Sequence, residues 1–241
     1  MVVLLLGLLL AGMVSCGGKK DTEDALLDDT TSVLTGNNRA AGRYAQSGDA
    51  KIYYEVYGRG TPLVLLHSDF YGYIDDFADY IPELAKHYQV IAIGKRGHGK
   101  SEMGNTPFSE QLFADDVLAV LSHEKIEKAA VLGFGGGATT AYYLAAHHAQ
   151  HVVKIIGLAG LLNSDSYRQG VKEDLAKINF KQIEENSRGF VIRRRRLMPQ
   201  PQRLEELLDR MKTHWVSGTF VEEARVRDIS CPVLVVTGDR D

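Results

Sequence analysis

The chain of 241 residues reads as an α/β protein: a mostly parallel central sheet with helices on both faces and a helical cap. Three observations carry that reading. Short continuous apolar runs, Leu63–His67, Val90–Ile93, Ala129–Leu132, Val152–Leu158 and Val233–Val236, suit strands buried on both sides. Segments with helical periodicity stand between them, the alternation that builds a covered parallel sheet. From Leu161 to Arg227 that rhythm breaks into a charged, helix-forming stretch, read as an inserted cap.

In chain order, Tyr44-Ala45 and Lys51–Tyr57 read as strands around a Ser47-Gly48-Asp49 turn. Gly58–Pro62 turns the chain into Leu63–His67, and Ile74–Lys86 follows as a helix with Pro82 in its middle. Val90–Ile93 leads into the turn Gly94–Ser101. Ser109 opens a helix to about Ser122, with Leu112, Phe113, Val117, Val120 and Leu121 on one face. The run Lys128–Ala149 is central: strand, then Gly133-Phe134-Gly135-Gly136-Gly137, then an alanine-rich helix. A strand entering a helix through glycines presents either a nucleophile or a phosphate-binding loop. Within the cap, Arg203–Thr213 is the clearest helical patch.

Composition bounds the function. With 44% hydrophobic and 24% charged residues and a formal net charge of -3, the chain has the balance of an ordinary globular protein and no basic surplus for nucleic acid. Two cysteines, Cys16 and Cys231, do not make a disulfide framework. Residues 1–16 differ in kind. Val2–Leu10 has the length of a signal-peptide apolar region and is too short to span a bilayer. Met13-Val14-Ser15-Cys16 resembles a bacterial lipobox, and the resemblance implies lipidation at Cys16. Gly17, rather than Asp, follows it, so the implied location is the cell envelope, lipid-anchored at the outer membrane. Residues 17–42, polar and acidic, read as a flexible tether, and 43–241 as the globular domain with its cap at 161–227.

Four segments in register resemble the α/β-hydrolase family of lipases, esterases and haloperoxidases. Leu63–Ser68 is similar to the PLVLLHG strand and Val90–Ser101 to the VIA-D-x-RGHG-x-S turn. Val131–Ala138 is similar to the nucleophile elbow G-x-S-x-G, and Cys231–Asp241 (CPVLVVTGDRD) to the strand that delivers the triad acid. The resemblance implies hydrolysis of an ester or similar acyl bond by serine, histidine and carboxylate, with two backbone N–H groups holding the oxyanion. Carried over position by position, Gly135 stands where the serine belongs. Asp241 matches the triad acid, and Asp239 is a turn former. Gly136 and Asp69 supply the oxyanion N–H donors, but the Asp69 carboxylate sits where negative charge must develop. Gly94 replaces an aspartate of the turn, and His98 reads as a turn-stabilising residue. Ser68 is a substitute hydroxyl on a loop that the family geometry does not use.

A complete member continues past the acid through one further strand and a helix to its histidine, and these read as missing here. The expectation is therefore a catalytically impaired hydrolase. The alternative is a non-catalytic lipoprotein that binds a small apolar or ester-type molecule under the cap. The resemblance calls for no cofactor or metal, and nothing in the residues sets an oligomeric state. Gly133–Ala138 also fits a G-x-G-x-x-A dinucleotide fingerprint. The acid expected about twenty residues on is absent from Gly157–Gly160, which argues against that use. His147, His148 and His151 read as a surface cluster without an accompanying carboxylate. Arg193–Arg196 reads as a solvated cap face balanced by Glu184, Glu185, Glu205 and Glu206, or as a contact for lipid headgroups or an acidic substrate.

Overall fold

A computed structural model describes residues 35–218 and 220–238. Cys16 and Asp241 lie outside the described residues. Strands β1 (Gly42–Ser47), β2 (Ala50–Tyr57), β3 (Thr61–Leu66), β4 (Tyr88–Ile93), β5 (Ala129–Phe134), β6 (Val152–Leu158) and β7 (Val233–Val236) form one sheet in the order β1-β2-β4-β3-β5-β6-β7. The β1–β2 and β2–β4 pairs are antiparallel, and the four pairs from β4 to β7 are parallel. The two antiparallel strands need only the tight Gly48 turn, whereas each parallel neighbour needs a crossover.

Strand β3 shows why an apolar run becomes a central strand. Leu63 and Leu65 enter a cluster on one face with Tyr73, Ile74, Phe77 and Ile81. Val64 and Leu66 enter the other, with Val117, Val131, Ala138 and Ala141. Alternate side chains leave a strand in opposite directions, so a strand covered twice must be apolar throughout.

The stretch read as one helix over Ile74–Lys86 is divided. A 3-10 turn covers Ile74–Phe77, and a short helix α1 spans Ile81–Leu84 with Pro82 in its first turn. Proline lacks an N–H and is tolerated only where that donor has no helical partner, so it starts a helix here and cannot continue one. Helix α2 (Glu110–His123) is capped by the Ser109 hydroxyl, which accepts from Leu112 N–H at 3.1 Å. Helix α3 (Gly136–His147) follows β5 directly.

Between β6 and β7 lie α4 (Val171–Lys177), α5 (Phe180–Asn186), α6 (Arg188–Leu197), α7 (Leu204–Trp215) and α8 (Glu223–Val226). Leu175, Phe180, Val191, Leu207, Leu208 and Met211 pack with Phe70, Met103 and Phe113 from the sheet domain, forming an apolar layer over the loops at the strand ends. The arginine run is not one solvated face. Arg195 does meet Glu184 at 2.8 Å in the open, but Arg194 is buried and reaches back to the sheet domain. Its guanidinium donates to Tyr71 O at 2.9 Å, pairs with Asp75 at 3.3 Å and lies over the Tyr73 ring. Glu206 answers Arg203 and Arg210 at 2.8 and 2.6 Å. Among the described residues, no helix is long and apolar enough to cross a membrane.

Two buried charges hold the strand-end turns. Arg96 is wholly buried, donates twice to Asp116 at 3.0 and 2.6 Å, and reaches Ser47 O and Asp49. Glu55, also wholly buried, accepts from Gly36 and Asn38 N–H and from the Tyr53 and Tyr57 hydroxyls, each at 2.7 Å. Removing one partner of a buried, hydrogen-bonded pair strands the other charge. Arg96→Ala is expected to cost about 3–5 kcal/mol in urea-denaturation stability through the orphaned Asp116. Arg96→Lys should recover only part of this, because an ammonium cannot make the forked pair.

Candidate active site at the strand–helix elbow

The elbow is built by close approach. At Gly133 an added Cβ would collide with the backbone of Gly137 and Ala138, and at Gly137 with the backbone of Leu66 and His67. These two positions let α3 start directly on β5 and press against the end of β3. Gly135, between them, has φ 55° and ψ -123°, a conformation that costs any other residue about 1–3 kcal/mol. Its N–H donates to Leu158 O at 2.8 Å, tying the turn to β6. The strand–helix turn is thus tight, and residue 135 at its apex has no side chain.

The loop after β3 faces it. His67 is buried and neutral, because burial first, then His98 and Lys95, push its pKa well below the ordinary value. Its Nε2 accepts from Lys95 N–H at 2.8 Å, so Nδ1 carries the proton and donates to Ser68 O at 2.7 Å. The ring locks the β3 loop to the β4 loop. His98 is also buried and neutral, its pKa pushed down to about 3 chiefly by burial and then by Lys95. It bonds Arg96 O at 3.0 Å and stands 5.1 Å from the His67 ring, in the turn-holding role its motif implied.

Asp69 is turned inward. Its Oδ1 occupies the space that a Cβ on Gly136 would take, at the first turn of α3, and Lys95 Nζ meets the same oxygen at 3.2 Å. Burial opposes its ionisation, but Lys95, His214 and His98 outweigh burial and hold the carboxyl below its ordinary pKa. The positive end of the helix adds to this. The Asp69 carboxylate is therefore held, ionised, against the first turn of α3.

Four features had no clear sequence signal. Lys95 closes a strand of apolar residues, is buried, and stacks its ammonium 4.4 Å over Phe113. A buried pair joins cap to sheet domain: His214 Nε2 on α7 meets Glu110 Oε1 at 2.9 Å, and Thr140 on α3 donates to Glu110 Oε2 at 2.8 Å. Ser68 lies closer to the elbow than its loop position suggests. Its Cβ is 3.3 Å from where a Cβ on Gly135 would be. Gly94, where the resembled turn carries aspartate, leaves room for Tyr73, whose ring would lie 2.9 Å from a Cβ there.

The cavity against Lys95, Phe113, Thr140 and Leu66 is about 10 Å³, room for one water at most. Of the histidine cluster, His147 bonds Glu222 at 3.1 Å and His151 bonds Glu127 O at 2.8 Å, so a carboxylate does accompany His147. Among the described residues, no group of three or more His, Cys, Asp and Glu side chains is placed to hold a metal ion.

The backbone geometry sets two expectations for stability. Gly135→Ser should lower stability by about 1–3 kcal/mol in thermal or urea melts, the strain of a side chain at positive φ. Gly133→Ala should cost as much or more through overpacking against immovable backbone.

Comparison with known proteins gives a consistent result. The soluble epoxide hydrolase of Corynebacterium sp. is 37% identical over 95 residues, 39% of this chain and 33% of that protein. The putative carbamate hydrolase RutD of Azorhizobium caulinodans is 32% identical over 124 residues, 52% of this chain and 46% of that one. The chain thus spans between a third and a half of the length of these two relatives. Among solved structures, Est816, an N-acyl homoserine lactone degrading enzyme, superposes with TM-score 0.60 at 24% identity, covering 83% of this chain and 82% of that one. The meta-cleavage product hydrolase CumD of Pseudomonas fluorescens superposes with TM-score 0.67 at 17% identity, covering 82% and 79%. Both likenesses concern the fold. The family model of the α/β hydrolase fold matches residues 61–241, three quarters of the sequence and every element that builds the elbow, and the chain belongs to the α/β hydrolase fold family.

Proposed function

We propose that this chain is a descendant of enzymes that hydrolyse ester or similar acyl bonds, in which the elbow no longer performs serine acyl transfer. In this reading it binds a small apolar or ester-type molecule beneath the cap. One observation carries the proposal. Gly135 offers no nucleophile, and the first turn of the helix beside it, where a developing oxyanion would need N–H donors, is taken by the Lys95-paired carboxylate of Asp69. Loss of a single oxyanion donor costs about a hundred- to a thousandfold in rate. A fixed negative charge in that position opposes the same transition state directly. In this reading the α7 layer covers the ligand, and parting of the Glu110–His214 contact between α7 and α2 would admit it. The lipobox-like Met13–Cys16 supports an anchored location: lipidated at Cys16, the domain would stand on the bacterial envelope at the end of its tether.

With short-chain p-nitrophenyl esters, steady turnover is expected to stay at the background set by heat-unfolded protein. A kcat/KM above about 10⁴ M⁻¹s⁻¹, the lower end of ordinary enzymes, would overturn the proposal. A ketone isostere of such an ester should raise the melting temperature in proportion to the logarithm of its concentration. For the anchor, Cys16→Ser expressed in a bacterial host should move the protein from the membrane to the soluble fraction.

A further inference from the structure

The hydroxyl that the elbow lacks reappears across the cleft. At the position following the loop histidine, where the resembled family has glycine, this chain has Ser68. At the elbow, where that family has serine, it has Gly135. The two positions are neighbours: the Ser68 Cβ stands 3.3 Å from the point where a residue-135 side chain would begin. Serine and glycine have in effect exchanged places over one van der Waals contact.

Ser68 also has a carboxylate for a neighbour. Its Oγ and the Asp76 carboxylate converge on Gly72, where an added Cβ would lie 2.5 Å from Ser68 Oγ and 2.9 Å from Asp76 Oδ2. The Ser68 hydroxyl and the Asp76 carboxylate thus lie on the same side of Gly72. Facing that carboxylate are Asp75 in the same loop and Arg194 from α6 of the cap. Burial, then the Asp75 charge, raise the Asp76 pKa to about 6 against the pull of Arg194. Asp76 is thus mostly ionised at neutral pH yet more basic than an ordinary carboxylate, as proton acceptors need to be.

We infer that Ser68 is the acyl-accepting hydroxyl of this site, with Asp76 as its proton acceptor, toward activated esters and related acyl or phosphonyl donors. The inference rests on the preceding proposal that residue 135 carries no chemistry and the oxyanion ground is occupied. In the step, the Ser68 proton passes to Asp76 as Oγ bonds to the acyl carbon. The bond to the leaving alkoxide then breaks, and the departing alcohol takes the proton from Asp76. Because the Asp69 carboxylate sits at the first turn of α3, attack is slow and attack by water on the ester product is slower still. The outcome is single capture rather than turnover.

The test uses the full 241-residue chain with a fluorophosphonate probe, which loses fluoride to the attacking oxygen, read by intact and peptide mass spectrometry. One adduct on Ser68 is expected within hours. Ser68→Ala should abolish it, Asp76→Asn should slow it at least tenfold, and Asp69→Asn should accelerate it. Ser122→Ala, an exposed serine of α2, should leave it unchanged. The labelling rate should rise about tenfold from pH 5 to pH 7, following the ionised fraction of a group near 6. If Ser68→Ala does not fold by circular dichroism, adduct mapping on the unaltered chain and the Asp76→Asn rate decide alone. No adduct, an adduct elsewhere, or Asp76→Asn labelling at the original rate would overturn the inference. Steady ester turnover that survives Ser68→Ala would remove the preceding proposal instead and leave the Ser68 adduct standing.

Discussion

A helix can leave the end of a strand and lie directly on the sheet only where neither carries a side chain at the crossing. Gly133 and Gly137 meet that condition, and much of the architecture follows from it. They seat α3 against β3 and β5 at backbone distance, which fixes where the first turn of α3 points. The positive end of a 12-residue helix is then aimed at the loop after β3. Asp69, Ser68 and His67 gather there because that loop is the surface the helix faces.

The same placement explains why the charges around the elbow are compatible with folding. A carboxylate taken from water is tolerated only with charged or dipolar partners. Asp69 has two, the helix end and Lys95, and Lys95 in turn rests on the Phe113 ring. Here the protein supplies the anion from its own chain, which stabilises the resting state.

Much of the scaffold was legible in the sequence because strands buried on both faces leave unbroken apolar runs, and Val152–Leu158 and Val233–Val236 match their strands residue for residue. The glycine run located the elbow for the same reason, since close approach forces composition. Ile74–Lys86 misled because its apolar spacing suits a helix, while Pro82 divides it. The site was harder to read. Whether Asp69 faces inward or outward is decided by Lys95, twenty-six residues away and looking like one more exposed lysine. Ser68 sits on a loop that the resembled geometry does not use, yet its nearness to Gly135 is a matter of sheet order: β3 and β5 are neighbours, so their ends meet. Glu110 and His214, separated by 104 residues, leave no local trace of their pairing.

Arg194 has a consequence beyond packing. It is the cap's buried cation, it is held by Tyr71 and Asp75, and its charge also disfavours protonation of Asp76. Cap position and proton occupancy are therefore two readings of one equilibrium. Lifting α6 away would take that charge with it and let Asp76 hold its proton more tightly. By the same free energy, a proton on Asp76 loosens the cap's grip.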